Sequence, residues 1–303
     1  MKMLIKKEKN KSSVKAKFAR NIPGWGLLIP SIFLFFFLVW RPIAIGIGYS
    51  FFDLTGFTPT EFVGLKNYSD VLSDTNFIQT LFNTLKYVFW SIIIGFPLPF
   101  ISAFFLNEMI HAKTYFKISL YLPVIIPGIA TCMIWRMVFM GGEGGLLNMI
   151  GYFFGAAPMD WLGNKSLVIP LIIASMTWNG FGSTMIIYLA TLQGVNQELY
   201  EAARIDGAGA WNRFKVVVWP HMRSVIFLLL IKQMIGLFNI TEQPLTMTGG
   251  GPNGASMSLG LTNYFYAFKY GQFEKSLSLG VIMFCFLFVL TIVYFWTDKR
   301  LEE

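Results

Sequence analysis

The sequence predicts an all-α membrane protein with six transmembrane helices and both termini in the cytoplasm. Of its 303 residues, 55% are hydrophobic and only 13% are charged, whereas soluble domains carry about 25% charged residues. This composition excludes an ordinary soluble domain and a disordered chain. A helix that crosses a bilayer needs about 20 apolar residues. Six runs meet this requirement, at residues 25–49, 81–106, 118–140, 167–192, 225–245 and 277–296.

Basic residues predict the orientation of the spans, because Lys and Arg are enriched in cytoplasmic loops. Sixteen of the 24 Lys and Arg residues lie in the two tails and in the second and fourth loops, whereas four lie in the alternate loops. Residues 1–24 are therefore expected to form a basic cytoplasmic tail, and residues 25–300 a six-span domain. Since the tail directly precedes an apolar run, we interpret its charge as a contact with membrane lipid and expect no nucleic-acid partner.

The runs differ in their flanks and in their proline content. The first run is too long for a secretory signal and no small-residue cleavage site follows it, so we predict a retained span. Prolines inside or beside the first four runs predict kinks, which membrane helices tolerate when neighbouring groups bind the freed carbonyl oxygens. We expect Pro220 to open the fifth span. The prolines of the first four runs are Pro30, Pro42, Pro97, Pro99, Pro123, Pro127 and Pro170.

Groups suited to catalysis or metal binding are scarce. No cluster of Cys, His and Asp has metal-ligand spacing, and no phosphate-binding G-x-x-x-x-G-K-[ST] loop occurs, so we expect this chain to bind neither a metal nor ATP. An intramembrane enzyme would need paired acids, histidines or a serine–base pair at membrane depth. Lys232 lies about 10 Å into the fifth run. We expect it to face the water-accessible side of a pathway or to extend toward the cytoplasmic surface.

The fourth loop, residues 196–221, carries the most specific pattern. Asn196 is a favourable helix N-cap, and Gly207 is expected to end the helix that follows it. Small residues on one face, flanked by charged side chains, suit docking into a groove of a soluble protein. The alternative is a loop that packs only against its own spans. The residues that share this face are Leu199, Ala202, Ala203 and Asp206.

This loop resembles the E-A-A---G---------I-L-P segment of permease subunits of binding-protein-dependent ABC importers. Glu201-Ala202-Ala203 is followed after three residues by Gly207, and the segment ends at Trp219-Pro220. Two positions depart from the pattern, since Val217 stands for Ile and Trp219 for Leu. Both substitutions leave the small-residue face of the loop intact.

Two further segments resemble carbohydrate-type permeases. They are Phe-Val-Gly-Leu-Lys-Asn-Tyr at residues 62–68 and Gly-Gly-Pro at residues 250–252. The likeness covers about residues 25–300 and is strongest to the first permease of oligosaccharide importers, such as the maltose-transporter permease. It implies the fold of type I ABC importer permeases and a place in the bacterial cell membrane.

The resemblance implies a transport subunit for carbohydrate rather than an enzyme. Its expected partners are a second related permease, two ABC ATPase subunits that bind ATP and Mg, and an extracytoplasmic substrate-binding protein. The fourth loop would couple ATPase motion to the spans. The coupling residues implied by the family motif are Glu201, Ala202, Ala203, Asp206 and Gly207.

The resemblance also implies where a sugar would contact the chain. In the maltose relative the contacts come from the fourth and fifth spans, and counting without gaps from the shared segments transfers them to this sequence. Amide, hydroxyl and aromatic groups there suit a sugar, although such residues also hold membrane helices together. Together with Lys232, the pathway candidates are Asn179, Gly180, Ser183, Lys232, Gln233, Gly236, Leu237 and Ile240.

Two other transport functions stay open at this point. The same architecture would import a polyol phosphate such as glycerol phosphate if Lys232 supplied a cation for the anionic group. A secondary carrier would instead work without an ATPase. Co-purification of a nucleotide-hydrolysing subunit through the fourth loop distinguishes an importer subunit from such a carrier.

Overall fold

The computed structural model describes residues 22–302, without the side chains at both ends of that range and at a few positions of the fourth loop. Nearly all of the predicted basic tail therefore lies outside the described residues. The helical segments, in chain order, are α1 (Ile22–Phe35, π-helical Phe36–Trp40, Arg41–Tyr49), α2 (Lys66–Leu72), α3 (Phe77–Trp90, π-helical Ser91–Gly95, Pro97–Glu108), α4 (Lys113–Tyr121, 3₁₀ Leu122–Ile125), α5 (Gly128–Val138), α6 (Leu146–Phe153), α7 (Val168–Gln193), α8 (Gln197–Ile205), α9 (Ala210–Arg213, π-helical Phe214–Val218, Trp219–Phe238), α10 (Glu242–Thr248), α11 (Leu259–Tyr264, π-helical Phe265–Lys269) and α12 (Phe273–Glu302).

The prediction of a purely helical fold is wrong in one detail, because a β-hairpin follows α1. Strand β1 (Phe52–Thr55) pairs antiparallel with β2 (Thr58–Phe62), and the register shifts between Asp53 and Leu54. The two-residue turn requires a backbone with positive φ, which Gly56 supplies at +62°. The fold is therefore helical with one short two-stranded sheet.

Among residues 22–302, four helices are long and apolar enough to cross a membrane. They cover residues 24–49, 77–108, 214–238 and 273–296. Helices α4 and α5 together would supply a fifth span, although they are bent by 97° at the break between them. Helix α7 coincides with the predicted fourth run but falls outside this set. The number of spans and the orientation of the termini consequently remain predictions.

Three π-helical segments are each followed by one residue and then by a proline. Arg41, Phe96 and Trp219 each donate a backbone N–H to the carbonyl oxygen five residues earlier. A proline follows each of these donors, so the wider turn accommodates a residue that has no N–H of its own. Helix α9 therefore runs through Pro220 instead of starting there, which corrects our expectation for the fifth span.

The predicted fifth run also ends differently. Helix α9 stops at Phe238, and α10 begins at Glu242. The carbonyl oxygen of Ile240, which the break leaves without a helical partner, accepts a hydrogen bond from Ser258 Oγ at 2.5 Å. Gly260 permits this close packing, because a Cβ there would lie 2.6 Å from the backbone carbon of Asn239.

The core lies around α7, which packs against α3, α4, α5, α9 and α10. Its residues Ile172, Ile173, Met185 and Tyr188 are completely or almost completely buried. Gly182 brings α7 close to α4, since a Cβ at this position would lie 2.9 Å from Tyr121 Cα. Helix α7 therefore positions the helices that pack around it.

The two segments that resemble carbohydrate-type permeases act as structural ties. In the first, Asn67 Nδ2 donates hydrogen bonds to the carbonyl oxygens of Ser50 and Phe52, at 3.1 and 2.9 Å. In the second, the glycine-rich loop after α10 accepts a hydrogen bond from Asn83 of α3, 2.8 Å from the Gly254 oxygen. The first tie joins α2 to the junction between α1 and the hairpin, and the second joins the loop to α3.

Candidate functional site

A cavity of about 540 Å³ opens between α3, α7 and the α9–α10 break. Its wall combines hydroxyl, amide, apolar and two charged side chains. The π-helical segment of α3 contributes one side of the wall and the broken end of α9 another. The lining residues are Ser91, Gly95, Pro99, Ile173, Met176, Thr177, Gly180, Phe181, Thr184, Leu229, Lys232, Gln233, Gly236, Leu237, Asn239, Ile240, Thr241, Glu242 and Gln243.

Most of the pathway candidates meet at this cavity. Six of the eight line it, and they come from two helices that are distant in sequence, α7 and α9, and from the break after α9. The two others, Asn179 and Ser183, do not belong to the lining. The six lining candidates are Gly180, Lys232, Gln233, Gly236, Leu237 and Ile240.

Two glycines keep the cavity wide. A Cβ on Gly180 of α7 or on Gly236 of α9 would meet no atom within 4 Å. Both residues therefore face open space rather than a neighbouring helix. The width of the cavity at these positions depends on the absence of a side chain.

Gln233 is held in the wall by α3. Its Nε2 donates a hydrogen bond to the Ser91 carbonyl oxygen at 3.3 Å and a second one to Ser91 Oγ. Gly95 makes room for this amide, since a Cβ there would lie 3.0 Å from Gln233 Nε2 and 3.1 Å from Thr177 Oγ1. Gln233 thus joins α9 to the π-helical segment of α3 while bordering the cavity.

Asn179 binds the bend between α4 and α5 instead of the cavity. Its Nδ2 lies 2.7 Å from the Pro123 oxygen, 3.2 Å from the Ile126 oxygen and 3.0 Å from Thr131 Oγ1. Pro127 removes one donor from the helical hydrogen-bond ladder, so the amide of Asn179 supplies the bend with a further donor. The Pro123 oxygen also accepts the Ile126 N–H at 3.1 Å. Ser183 donates to the Gly180 oxygen of its own helix at 2.8 Å. Both placements favour structural roles for these two side chains.

Replacing Asn179 with leucine should lower the thermal unfolding temperature of the purified complex. Loss of the amide removes the donor that the Ile126 oxygen and Thr131 Oγ1 share, whereas the Pro123 oxygen keeps the Ile126 N–H. An unsatisfied buried group costs about 1–3 kcal/mol. The solute concentration at half-maximal uptake should stay unchanged. Ser183→Ala serves as the control and should alter neither quantity. An unchanged unfolding temperature together with weaker solute affinity would instead indicate that Asn179 contacts the solute in the pathway.

Sequence reasoning missed the polar residues around the α9–α10 break. Asn239, Thr241, Glu242 and Gln243 all line the cavity, but residues 225–245 were expected to form one continuous span. The polar stretch from residue 239 to 243, followed by Pro244, was the available signal for a break. Ser91, Thr177 and Thr184 were also missed, because only the fold brings their helices to this wall.

The fourth loop has the local structure that its pattern predicts. Asn196 Oδ1 accepts a hydrogen bond from the Glu198 N–H at 2.9 Å, as expected of an N-cap. At the other end of α8, the Ala208 N–H donates to the Ala203 oxygen at 3.0 Å, and Gly207 has a φ of +75°. This combination is a Schellman C-cap. Glu201, Ala202, Asp206 and Gly207 are exposed, and Ala203 is half-buried.

The arrangement offers polar groups around a cavity and an exposed helix with small side chains. Among residues 22–302, no group of three or more His, Cys, Asp and Glu side chains could hold a metal ion. The cavity presents hydroxyl and amide groups suited to hydrogen bonding with a polar solute. Helix α8 contributes no residue to the cavity lining, and its small residue Ala202 is exposed.

Comparisons with known proteins give the family. A family model described as "Binding-protein-dependent transport system inner membrane component" matches residues 95–303. The multiple sugar-binding transport system permease protein MsmF of Streptococcus mutans is 30% identical, over 92% of this chain and 96% of that protein. The arabinooligosaccharides transport system permease protein AraP of Bacillus subtilis is 31% identical, over 77% and 75% of the two chains.

Two solved structures share the fold of this chain. A chain of a bacterial ABC transporter involved in the import of the acidic polysaccharide alginate has a TM-score of 0.83 at 20% identity, over 96% of this chain and 99% of that chain. A second structure is of a bacterial alginate ABC transporter in complex with an alginate pentasaccharide-bound periplasmic protein. It has a TM-score of 0.82 at 20% identity, over 95% and 98%. The fold is therefore that of type I ABC importer permeases, and the chain, a multi-pass inner-membrane protein, belongs to the family of binding-protein-dependent transport system inner membrane components.

Proposed function

We propose that this chain is a permease subunit of an ATP-driven importer for an oligosaccharide or a related carbohydrate. Relatives that match most of its length are permeases of systems for multiple sugars and for arabinooligosaccharides. The observation that carries the proposal is the cavity between α3, α7 and the α9–α10 break, whose wall presents neutral hydroxyl and amide groups. Such groups form hydrogen bonds with sugar hydroxyls.

The proposed membrane arrangement has six spans and both termini in the cytoplasm. Helices α4 and α5 would form one broken span, and α7 would complete the set of six. The asymmetric distribution of Lys and Arg supports this orientation. Residues 1–24 would then form a basic cytoplasmic tail, residues 25–300 the permease domain, and residues 196–221 a cytoplasmic coupling loop.

In this proposal, α8 transmits force between subunits. A second related permease would complete the pathway, and two ABC ATPase subunits would bind ATP and Mg and hydrolyse the nucleotide. An extracytoplasmic binding protein would deliver the solute. The exposed small residues of α8 and its rigid C-cap suit insertion into a groove of an ATPase, where Glu201, Ala202, Ala203, Asp206 and Gly207 would carry the motion to the spans.

Lys232 supports a second candidate, the import of a polyol phosphate. Its side chain lines the cavity and is exposed there, so a cation is available to an anionic group. This candidate uses the same architecture and partners. It differs only in the charge of the solute, which a transport assay resolves. A secondary carrier would require uphill transport by the chain alone.

The decisive experiment is transport by the reconstituted complex. The chain, its companion permease and the ATPases would be placed in proteoliposomes with the binding protein, and uptake of labelled neutral oligosaccharides and of glycerol 3-phosphate would be measured. We expect uptake of a neutral oligosaccharide that requires both ATP and the binding protein. Preferential uptake of glycerol 3-phosphate would select the second candidate, and uphill uptake by the purified chain alone would refute both.

A further inference from the structure

Glu242 is the acidic residue in the cavity wall, and the α9–α10 break places it there. Among the described residues that line the cavity, Lys232 and Glu242 carry the charges. Lys232 lies on α9, about 9 Å along the helix axis from its end at Phe238. Glu242 is the first residue of α10, beyond the break. The break therefore separates a basic part of the wall from an acidic part.

The carboxylate of Glu242 lies close to the first turn of α5. A Cβ on Gly128 would overlap Glu242 Oε1 and would lie 3.1 Å from Cδ and 3.2 Å from Oε2. Gly128 begins α5, and the partial positive charge of a helix N-terminus stabilises a nearby anion. Helices α5 and α10 also pack against each other. The glycine thus makes room for the carboxylate beside the start of α5.

We propose that Glu242 is a specificity-determining residue, a fixed anion in the pathway that disfavours anionic solutes relative to neutral and cationic ones. The inference rests on the proposed function, since it assigns the cavity to the pathway. The other polar groups of the wall, apart from Lys232, are uncharged amides and hydroxyls. A charge held at one position acts strongly on ions that pass close to it in surroundings less polar than water. Neutral saccharides form hydrogen bonds with the same wall without this repulsion.

The test measures how fast small charged thiol reagents reach the cavity. The assembled importer would carry Cys132→Ala and Cys285→Ser, which remove the native thiols of this chain, and Asn239→Cys, which places one thiol in the wall. The same assembly without Asn239→Cys gives the background labelling of the other subunits. A cationic trimethylammonium and an anionic sulfonate methanethiosulfonate of similar size would be compared. Their rate ratio would be normalised to that for a free thiol in solution.

Adding Glu242→Gln should lower the cation-to-anion rate ratio about tenfold, because the fixed negative charge is lost. Gly128→Ala should lower it by a smaller factor, since the new methyl group displaces the carboxylate from the wall but keeps its charge. Glu143→Gln is the control, because Glu143 lines a separate hollow near Tyr152 and Phe153; it should leave the ratio unchanged.

An unchanged ratio in Glu242→Gln, or a change no larger than that in Glu143→Gln, would overturn the proposal. An unchanged ratio in Gly128→Ala would overturn the positioning by α5. Subunit stoichiometry after purification shows whether each variant assembles. The assay contains no saccharide, so it tests the role of Glu242 separately from the proposed function. Failure of the proposed function would instead appear as absence of carbohydrate uptake by the unmodified importer.

Discussion

Replacing Gly207 with proline is expected to abolish ATP-driven uptake by the assembled importer. Gly207 has a φ of +75°, whereas proline is restricted to a φ near −65°, so the C-cap of α8 cannot form. A loss of about 3 kcal/mol at this turn reduces the native loop about a hundredfold in population. Solute uptake into proteoliposomes, with ATP supplied to the ATPases, measures the effect.

Gly209 provides a matched control two residues further along. It has no positive φ, and a Cβ there would meet no atom within 4 Å. Gly209→Ala should therefore transport normally, whereas Gly207→Ala should be partly impaired by about 1 kcal/mol of backbone strain. Solute binding to the separate binding protein should not change in any of these variants. Uptake at the unmodified rate in Gly207→Pro would rule out a coupling role for α8.

Replacing Gly236 with tryptophan is expected to block the pathway while leaving the subunit folded. A side chain at this position enters open space, because a Cβ on Gly236 has no neighbour within 4 Å. The indole would instead compete with the solute for the cavity. Steric conflict of about 1–3 kcal/mol corresponds to a loss of about 5- to 150-fold in uptake. The same replacement at Gly180 tests the facing wall on α7.

Leu228 supplies the control on the same helix. It is exposed and lies outside the cavity lining, so Leu228→Trp should preserve uptake. Thermal unfolding of each purified complex separates a blocked pathway from a damaged fold. If Gly236→Trp and Gly180→Trp transport at the unmodified rate, the cavity is not the route of the solute.

The sequence predicted best those features that depend on residues close together along the chain. Asn196 caps α8 with its own side chain, and Gly207 ends that helix through its own backbone freedom, so both effects act within a few residues. The apolar runs at 25–49, 81–106 and 277–296 likewise coincide with long helices of the structure. Local hydrogen bonding and composition suffice for such features.

The cavity could be predicted only in part. Counting from the family motifs reached Gly236 and Gln233 but not Glu242, which was not among the transferred contacts. The break depends on Ser258, which binds the Ile240 oxygen from a later segment of the chain. The bend of α4 and α5 depends in the same way on Asn179. In both cases the residues at the helix interruption do not indicate which distant side chain binds there.

Composition, apolar run length and basic-residue distribution determined that this chain is a helical membrane protein, and the alanine- and glycine-bearing loop led to the prediction of an ATPase partner. Each of these properties follows from the types of residue and their order along the chain, without knowledge of which distant segments meet. Only the tertiary structure decided where the helices break and which side chains line the cavity. A carbonyl oxygen released from a helix needs a donor, and here that donor comes from a distant segment, so the choice between a kink and a straight span is made by packing.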